Sequence, residues 1–253
     1  MTAALWSEEA GDVDRPLIAL VHGSLDRSAG LLKLSRRLDD RFRVLRYDRR
    51  GYGRSTPHGG PFDIEAQVAD LVAVLDGRPA VVFGHSYGGN VALGLADRHP
   101  TLVEAVGVFE TPLSWLDWWP TDSAGGSAAR AGGDPAEAAE GFMRRMVGDD
   151  KWLRLPARTR EARRAEGVTM VAELADLHRR APWDAARITV PAVAMRGSAG
   201  HEHHRRSTDH LGAVLEDCPV VTIEGARHFG PSTHPDAVAA VLTDLVSRAA
   251  TRR

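Results

Sequence analysis

Val81-Val82-Phe83-Gly84-His85-Ser86-Tyr87-Gly88-Gly89 decides how this chain is read. A short apolar run enters a Gly-x-Ser-x-Gly turn, and a helix-compatible stretch, residues 90–97, leaves it. A strand that turns sharply into a helix around one serine lifts the hydroxyl clear of the sheet edge. Gly84 and Gly88 remove the Cβ atoms that would clash in such a turn. The helix start aims backbone N–H groups and the positive dipole end at the same point, which favours developing negative charge. These properties suit nucleophilic attack on a carbonyl. No Gly-Lys-Ser/Thr follows, so a phosphate loop is excluded. The spacing of Gly84, Gly88 and Gly89 also misses the dinucleotide fingerprint.

On either side of this turn, short apolar runs alternate with longer amphipathic segments, the mark of βαβ units around a parallel sheet. Strands are expected at 17–21, 42–47, 80–83, 102–109, 190–195 and 220–223, mostly as continuous apolar runs covered on both faces. Helices are expected at 30–38, 63–75 and 235–250. In the second, Ile64, Val68, Leu71 and Leu75 repeat at helical spacing. The rhythm breaks once, between Phe109 and Val190. The division is therefore hydrolase-type core 1–110, helical lid insertion 111–187 and core 188–253. Within the insertion a Gly/Ser/Ala-rich stretch, 122–134, reads as a mobile loop. Helical segments are expected at 135–146, 159–166 and 168–178.

The chain has 253 residues, 43% hydrophobic and 26% charged, which fits one folded α/β domain with an insertion. A net charge of −2 offers no general attraction to nucleic acid or an anionic membrane. The one cysteine, Cys218, excludes an intrachain disulfide. No signal-peptide pattern and no bilayer-length apolar run is evident, so a cytoplasmic protein is expected.

A serine nucleophile needs a base, an acid and an oxyanion site. His228 follows the last expected strand, at the sheet edge where ligands bind in open α/β folds. His22 and His85 flank glycine turns and read as loop-orienting. His22-Gly23-Ser24 follows the first expected strand, so the amides of Ser24 and Tyr87 are the oxyanion donors. For the acid, Glu110 ends an apolar strand at the ligand edge, where an imidazole partner would explain a carboxylate; Glu202 is the alternative. His201, Glu202, His203 and His204 form a weak metal signature and read as a solvated polar loop or helix start. Asp48–Ser55 reads as a loop clamped by ion pairs near the turn. Trp115, Trp118, Trp119, Phe142, Met143 and Met146 are candidates to line an apolar acyl pocket, and the arginines of 144–164 read as a solvated helix face.

His22-Gly23-Ser24, Asp48-Arg49-Arg50-Gly51-Tyr52-Gly53-Arg54-Ser55, Gly84-His85-Ser86-Tyr87-Gly88-Gly89 and Gly225-Ala226-Arg227-His228 together resemble the α/β-hydrolase superfamily along nearly the whole chain. The resemblance implies a Ser-His-acid triad, a lid after the sixth strand of the family's sheet, and no cofactor or metal. The loop after the penultimate strand lacks the aspartate most members carry. Glu110 resembles the glutamate after the sixth strand in a subgroup of haloalkane dehalogenases, although those enzymes use aspartate where this chain has Ser86. Only fifteen residues precede Pro16, which leaves little room for the family's first two strands. The expected protein is a monomer or homodimer, without nucleic-acid or membrane partners, that hydrolyses a small-molecule ester, lactone or thioester. A thioesterase, C–C hydrolase or cofactor-free haloperoxidase shares every residue named, and a non-catalytic hydrolase-fold receptor is the alternative outside catalysis.

Overall fold

Leu17-Ile18-Ala19-Leu20-Val21 is buried throughout and divides by parity: Leu17, Ala19 and Val21 join one apolar core, Ile18 and Leu20 the other. Side chains of a strand alternate between faces, so a strand apolar at every position must be covered on both. Ala80-Val81-Val82-Phe83 divides in the same way. The computed structural model describes residues 5–130 and 132–252. Its seven strands form one sheet: β1 (Ser7–Ala10), β2 (Leu17–Val21), β3 (Arg43–Tyr47), β4 (Ala80–His85), β5 (Val103–Phe109), β6 (Ala192–Gly197) and β7 (Val220–Ile223), in the order β1-β3-β2-β4-β5-β6-β7. Only β1 is antiparallel. On one face lie α2 (Ile64–Leu75) and α3 (Tyr87–Arg98). On the other, α1 (Leu32–Leu38) and α11 (Pro235–Thr251) bring Leu34, Leu38, Val238, Leu242 and Leu245 onto the sheet.

The first strand is a departure from expectation. Ser7-Glu8-Glu9-Ala10 is polar and mostly exposed, so no apolar run announces it. It holds its edge position by backbone pairing with β3, while Glu9 meets Arg43 and Glu8 accepts from Arg46 at 3.0 Å. The sixth strand begins at Ala192 rather than Val190, because Pro191 has no N–H for the ladder.

Residues 111–187 contain α4 (Ala124–Ala129), α5 (Pro135–Val147), α6 (Asp149–Arg154), α7 (Ala157–Ala165) and α8 (Gly167–Arg179). The Gly/Ser/Ala stretch expected as a loop contains α4, because Ser123 caps it by accepting from the Gly126 N–H at 3.0 Å. Asp134 caps α5, with Pro135 at its first position. The segment is not self-contained: Leu113, Trp119, Met170, Leu174 and Leu177 join the core that also holds α2 and α3. Buried Asn90 of α3 ties its two ends, donating to the Pro112 carbonyl at 2.9 Å and accepting from Trp183 Nε1 at 3.0 Å. The core helices α9 (Glu202–Val214) and α10 (Gly230–Thr233) complete the set. No helix among the described residues is long and apolar enough to cross a membrane.

Candidate active site

Ser86 links β4 to α3 with φ 55° and ψ −125°, a left-handed backbone that few residues with a side chain adopt. Close packing enforces it. A Cβ on Gly84 would lie 2.3 Å from the Gly88 carbonyl oxygen, and one on Gly88 2.3 Å from that of Val21. One on Gly89 would lie 1.9 Å from Thr111 Oγ1. The turn is thus wedged between the ends of β2 and β5, and the Ser86 N–H donates to the Phe109 carbonyl at 2.9 Å. The Tyr87 amide is the first of a twelve-residue helix and has no carbonyl one turn before it within α3.

Glu110 follows β5 directly and also has positive φ, 46°. That conformation turns its buried carboxylate toward the loops after β6 and β7. Glu110 Oε1 accepts from the Gly197 N–H at 3.0 Å, and Oε2 accepts from His228 Nδ1 at 2.8 Å. A carboxylate can only accept, so the proton sits on His228 Nδ1 and Nε2 is left as the basic nitrogen. His85 Nε2 donates to the His228 carbonyl at 2.7 Å. Burial, then the neighbouring His228, pushes the His85 pKa down to about 3, so it is a neutral strut. Glu202 lies elsewhere: its side chain is exposed and pairs with Arg205 at 2.7 Å. Glu110, not Glu202, reaches the imidazole.

Ser24 and Tyr87 share a cavity wall with Ser86. Ser24 is held through its hydroxyl, which donates to Glu173 Oε1 of α8 at 2.6 Å. Tyr52 donates to the same oxygen at 2.7 Å, and Arg49 Nη1 donates to Glu173 Oε2 at 2.7 Å. Arg49 also donates from Nε and Nη2 to the carbonyls of His22 and Gly23, at 2.9 and 3.0 Å. Arg49 and Glu173 are both fully buried. Burial works against the guanidinium charge, but Glu173 more than offsets it and holds the Arg49 pKa above its usual value. The rest of the Asp48–Ser55 loop is clamped alike. Asp48 accepts from the N–H groups of Ser28 and Arg54, and Arg50 forms a fork to Asp70 with both contacts at 2.6 Å. His22 Nε2 accepts from the Arg49 N–H at 2.9 Å, the loop-orienting part expected of it.

The histidines at the start of α9 depart from the solvated-loop reading. His204 is buried and stacks on His228, with ring centroids 4.7 Å apart and planes 22° apart. Its Nε2 lies 3.9 Å from Glu110 Oε2. Burial, then the charge of His228, lowers its pKa well below the usual histidine value. His203 packs edge-on to Trp119 at 4.9 Å, and burial lowers its pKa to about 4. Glu110, His204 and His228 bring three donor atoms within 4.8 Å of one another. The Glu110–His228 separation of 2.8 Å is shorter than the roughly 3.4 Å between ligands on a tetrahedral zinc, so it reads as a hydrogen bond.

These groups open onto a cavity of about 760 Å³, with Trp119, Phe142, Met146 and Leu174 on its apolar wall. Trp115, Trp118 and Met143, expected there, do not line it. Trp115 stands edge-on to Trp183 at 5.5 Å, and Trp118 lies under Arg206 at 4.3 Å. Met143 packs against the core of its own segment. Three cations, Arg145, Lys151 and Arg227, also border the cavity.

Residues 18–241 match the alpha/beta hydrolase family. The chain belongs to that family. It is 25% identical to 2-(acetamidomethylene)succinate hydrolase of Mesorhizobium japonicum, covering 91% of this chain and 88% of the relative. Among solved structures it resembles an alpha/beta hydrolase from Sphaerobacter thermophilus, 28% identical with 96% of each chain covered and a TM-score of 0.76. An enol-lactonase from Burkholderia xenovorans shares the fold at a TM-score of 0.73, with 24% identity and 96% of each chain covered. This chain is therefore a hydrolase with the α/β-hydrolase fold.

Two residues of the hydrolase site escaped the sequence reading. Glu173 sits in an ordinary amphipathic pattern, and its one signal was a carboxylate on the buried side of α8. His204 is one turn into α9, where the pattern His-Glu-His-His shows no preference for which ring turns inward.

Proposed function

We propose that this hydrolase cleaves a carboxylic ester, lactone or thioester of a small to medium, mainly apolar acyl group through an acyl-enzyme on Ser86. The supporting observation is the 2.8 Å contact between Glu110 Oε2 and His228 Nδ1, on loops that share a cavity with a serine held at positive φ. His228 Nε2 takes the Ser86 proton as Oγ attacks the carbonyl carbon. The oxyanion faces the amides of Ser24 and Tyr87, and Glu110 stabilises the imidazolium. Collapse breaks the bond to the leaving group, which receives the proton from His228. Water then gives a proton to His228 and attacks the acyl-enzyme. Its collapse returns that proton to Ser86 Oγ and releases the acid. Residues 111–187 act as the lid, with Trp119, Phe142 and Met146 forming the acyl wall. The Mesorhizobium relative, named for a hydrolysis, fits this chemistry.

A fluorophosphonate probe, read by intact mass, tests the reading together with p-nitrophenyl esters of rising acyl length. One adduct per chain on Ser86 is expected, and Ser86→Ala should lose the adduct and about 10³-fold or more in kcat. Full turnover by Ser86→Ala would sink the proposal. The acid is tested alongside. Glu110→Gln should cost about 100-fold or more in kcat and Glu202→Gln less than about twofold; the reverse ranking would move the acid to α9.

A further inference from the structure

Each helix of residues 135–165 carries arginines, but they do not all do the same work. Arg144 pairs with Asp149 at 2.7 Å and Glu140 at 3.6 Å, and Arg163 pairs with Glu166 at 3.3 Å. Arg164 hydrogen-bonds Glu140 at 2.5 Å. These are ordinary neutralised surface cations. Arg145 differs. It lies three residues after Phe142 and one before Met146, so the three share the stripe of α5 that faces the cavity. Its helical neighbours at i−4, i−3 and i+3 are Gly141, Phe142 and Gly148, none of them acidic. The acid at i+4, Asp149, is taken by Arg144. Lys151 on α6, one of two lysines in the chain, also faces the cavity; its neighbours at three and four residues are Val147, Gly148, Arg154 and Leu155. Across the cavity stands Arg227, next to His228. None of the three forms an ion pair among the described residues. The lining has one carboxylate, Asp122, against these three cations.

We infer that Arg145, Lys151 and Arg227 form an anion subsite of the cavity, and that the preferred substrate carries a free carboxylate on its acyl chain beyond the bond that is cleaved. This rests on the serine-hydrolase reading of Ser86. Uncompensated cations beside an apolar wall raise the local concentration of an anionic substrate and bind its distal end, and salt weakens both effects. The apolar wall takes the intervening methylenes. The cations border the same enclosed space as Ser86, so the matching group belongs to a small substrate and not to a carrier docked outside. The step is the acyl transfer described above, with the distal carboxylate unchanged.

The test compares monomethyl glutarate with methyl valerate, which have equal chain length and differ in having a carboxylate or a methyl at the far end. Proton release gives the rates. Wild type should prefer monomethyl glutarate by about tenfold or more in kcat/KM at low salt. The triple variant Arg145→Gln/Lys151→Gln/Arg227→Gln should lose that preference through KM, with methyl valerate unchanged within about twofold. Arg144→Gln, a paired cation one residue away, should leave the preference intact. Calorimetry with the non-hydrolysed ketones 5-oxohexanoate and 2-hexanone reads the subsite without turnover. Turnover of both esters at equal efficiency, with no preference for 5-oxohexanoate, would overturn the anion subsite and leave the hydrolase standing. Tighter binding of 5-oxohexanoate that disappears in the triple variant, with neither ester cleaved and Ser86 unlabelled, would support the subsite and sink the serine mechanism. An equal loss with both esters in the triple variant would show that these cations hold the fold and not the substrate.

Discussion

The two walls of the cavity are built by different means. The core wall carries Ser86, Tyr87, Glu110 and His228. Its backbones pack so closely that glycine is the one residue that fits at Gly84, Gly88 and Gly89. The insertion wall carries Trp119, Phe142, Arg145, Met146 and Lys151 on helices joined by side chains. Its firmest link to the core near the site is the buried Arg49–Glu173 pair. One wall is fixed by sterics and the other by packing and charge. A wall fixed by sterics holds catalytic atoms to a narrow geometry, whereas a side-chain wall tolerates change in the substrates it admits.

Cutting the charge link should have the largest effect. Glu173→Gln leaves the Arg49 guanidinium buried without its carboxylate, so unfolding free energy should fall by about 3–5 kcal/mol. Ser24 also loses its 2.6 Å anchor, so kcat should fall with it. Denaturant midpoints and ester kinetics on the same variant would show whether stability and rate move together; an unchanged midpoint would mean that the insertion is not tied to the core there.

One chemical change placed on each wall should act with opposite sign. Gly88→Ala puts a Cβ 2.3 Å from a backbone oxygen and should destabilise by about 3 kcal/mol or more. It should also abolish Ser86 labelling.

Acid should loosen the core wall first. His22, His85 and His204 are buried around it with pKa values held below the usual histidine value, that of His85 at about 3. The insertion's one histidine among the described residues, His178, is exposed. The unfolded chain takes up protons near pH 6.5, while these folded-state rings do not. Stability is therefore fully present above about pH 6.5 and declines as pH falls toward 3, by at most ~1.4 kcal/mol per pH unit for each such ring. Thermal midpoints from pH 7.5 to 4 should fall more steeply for wild type than for His85→Gln; parallel curves would exclude that ring as a contributor.

The smallest effect should come from Gly141→Ala. Gly141 lies mid-helix on α5, and nothing stands within 4 Å of its added Cβ. The change should stabilise the insertion wall by about 0.5–1 kcal/mol through helix propensity alone.

Much of the core was legible in sequence, because a strand buried on both faces must be apolar at every position, and β2 to β5 are nearly so. The edge strand β1 was illegible, because it is held by backbone pairing and by arginines on a neighbouring strand. The capped helix α4 was hidden inside a composition that usually loops. In the site, Ser86 announced itself through the glycines around it, since the conformation it needs leaves a local mark. Glu110 was legible as a charge in an unfavourable place, but Glu202 could not be dismissed until the structure showed it paired with Arg205 at the surface.

By itself the sequence determined what local sterics and periodicity control: the alternation of strands and helices, the turn at Ser86, the loop that carries His228 and the position of the insertion. Tertiary structure alone decided which carboxylate meets His228, that Glu173 reaches from α8 to Ser24 and Arg49, that His204 stacks on His228, and which cations face the cavity. Each of these is a contact between groups far apart in the chain. Their pairing follows from how helices pack on the sheet, and a side chain's own neighbours in sequence carry no record of it.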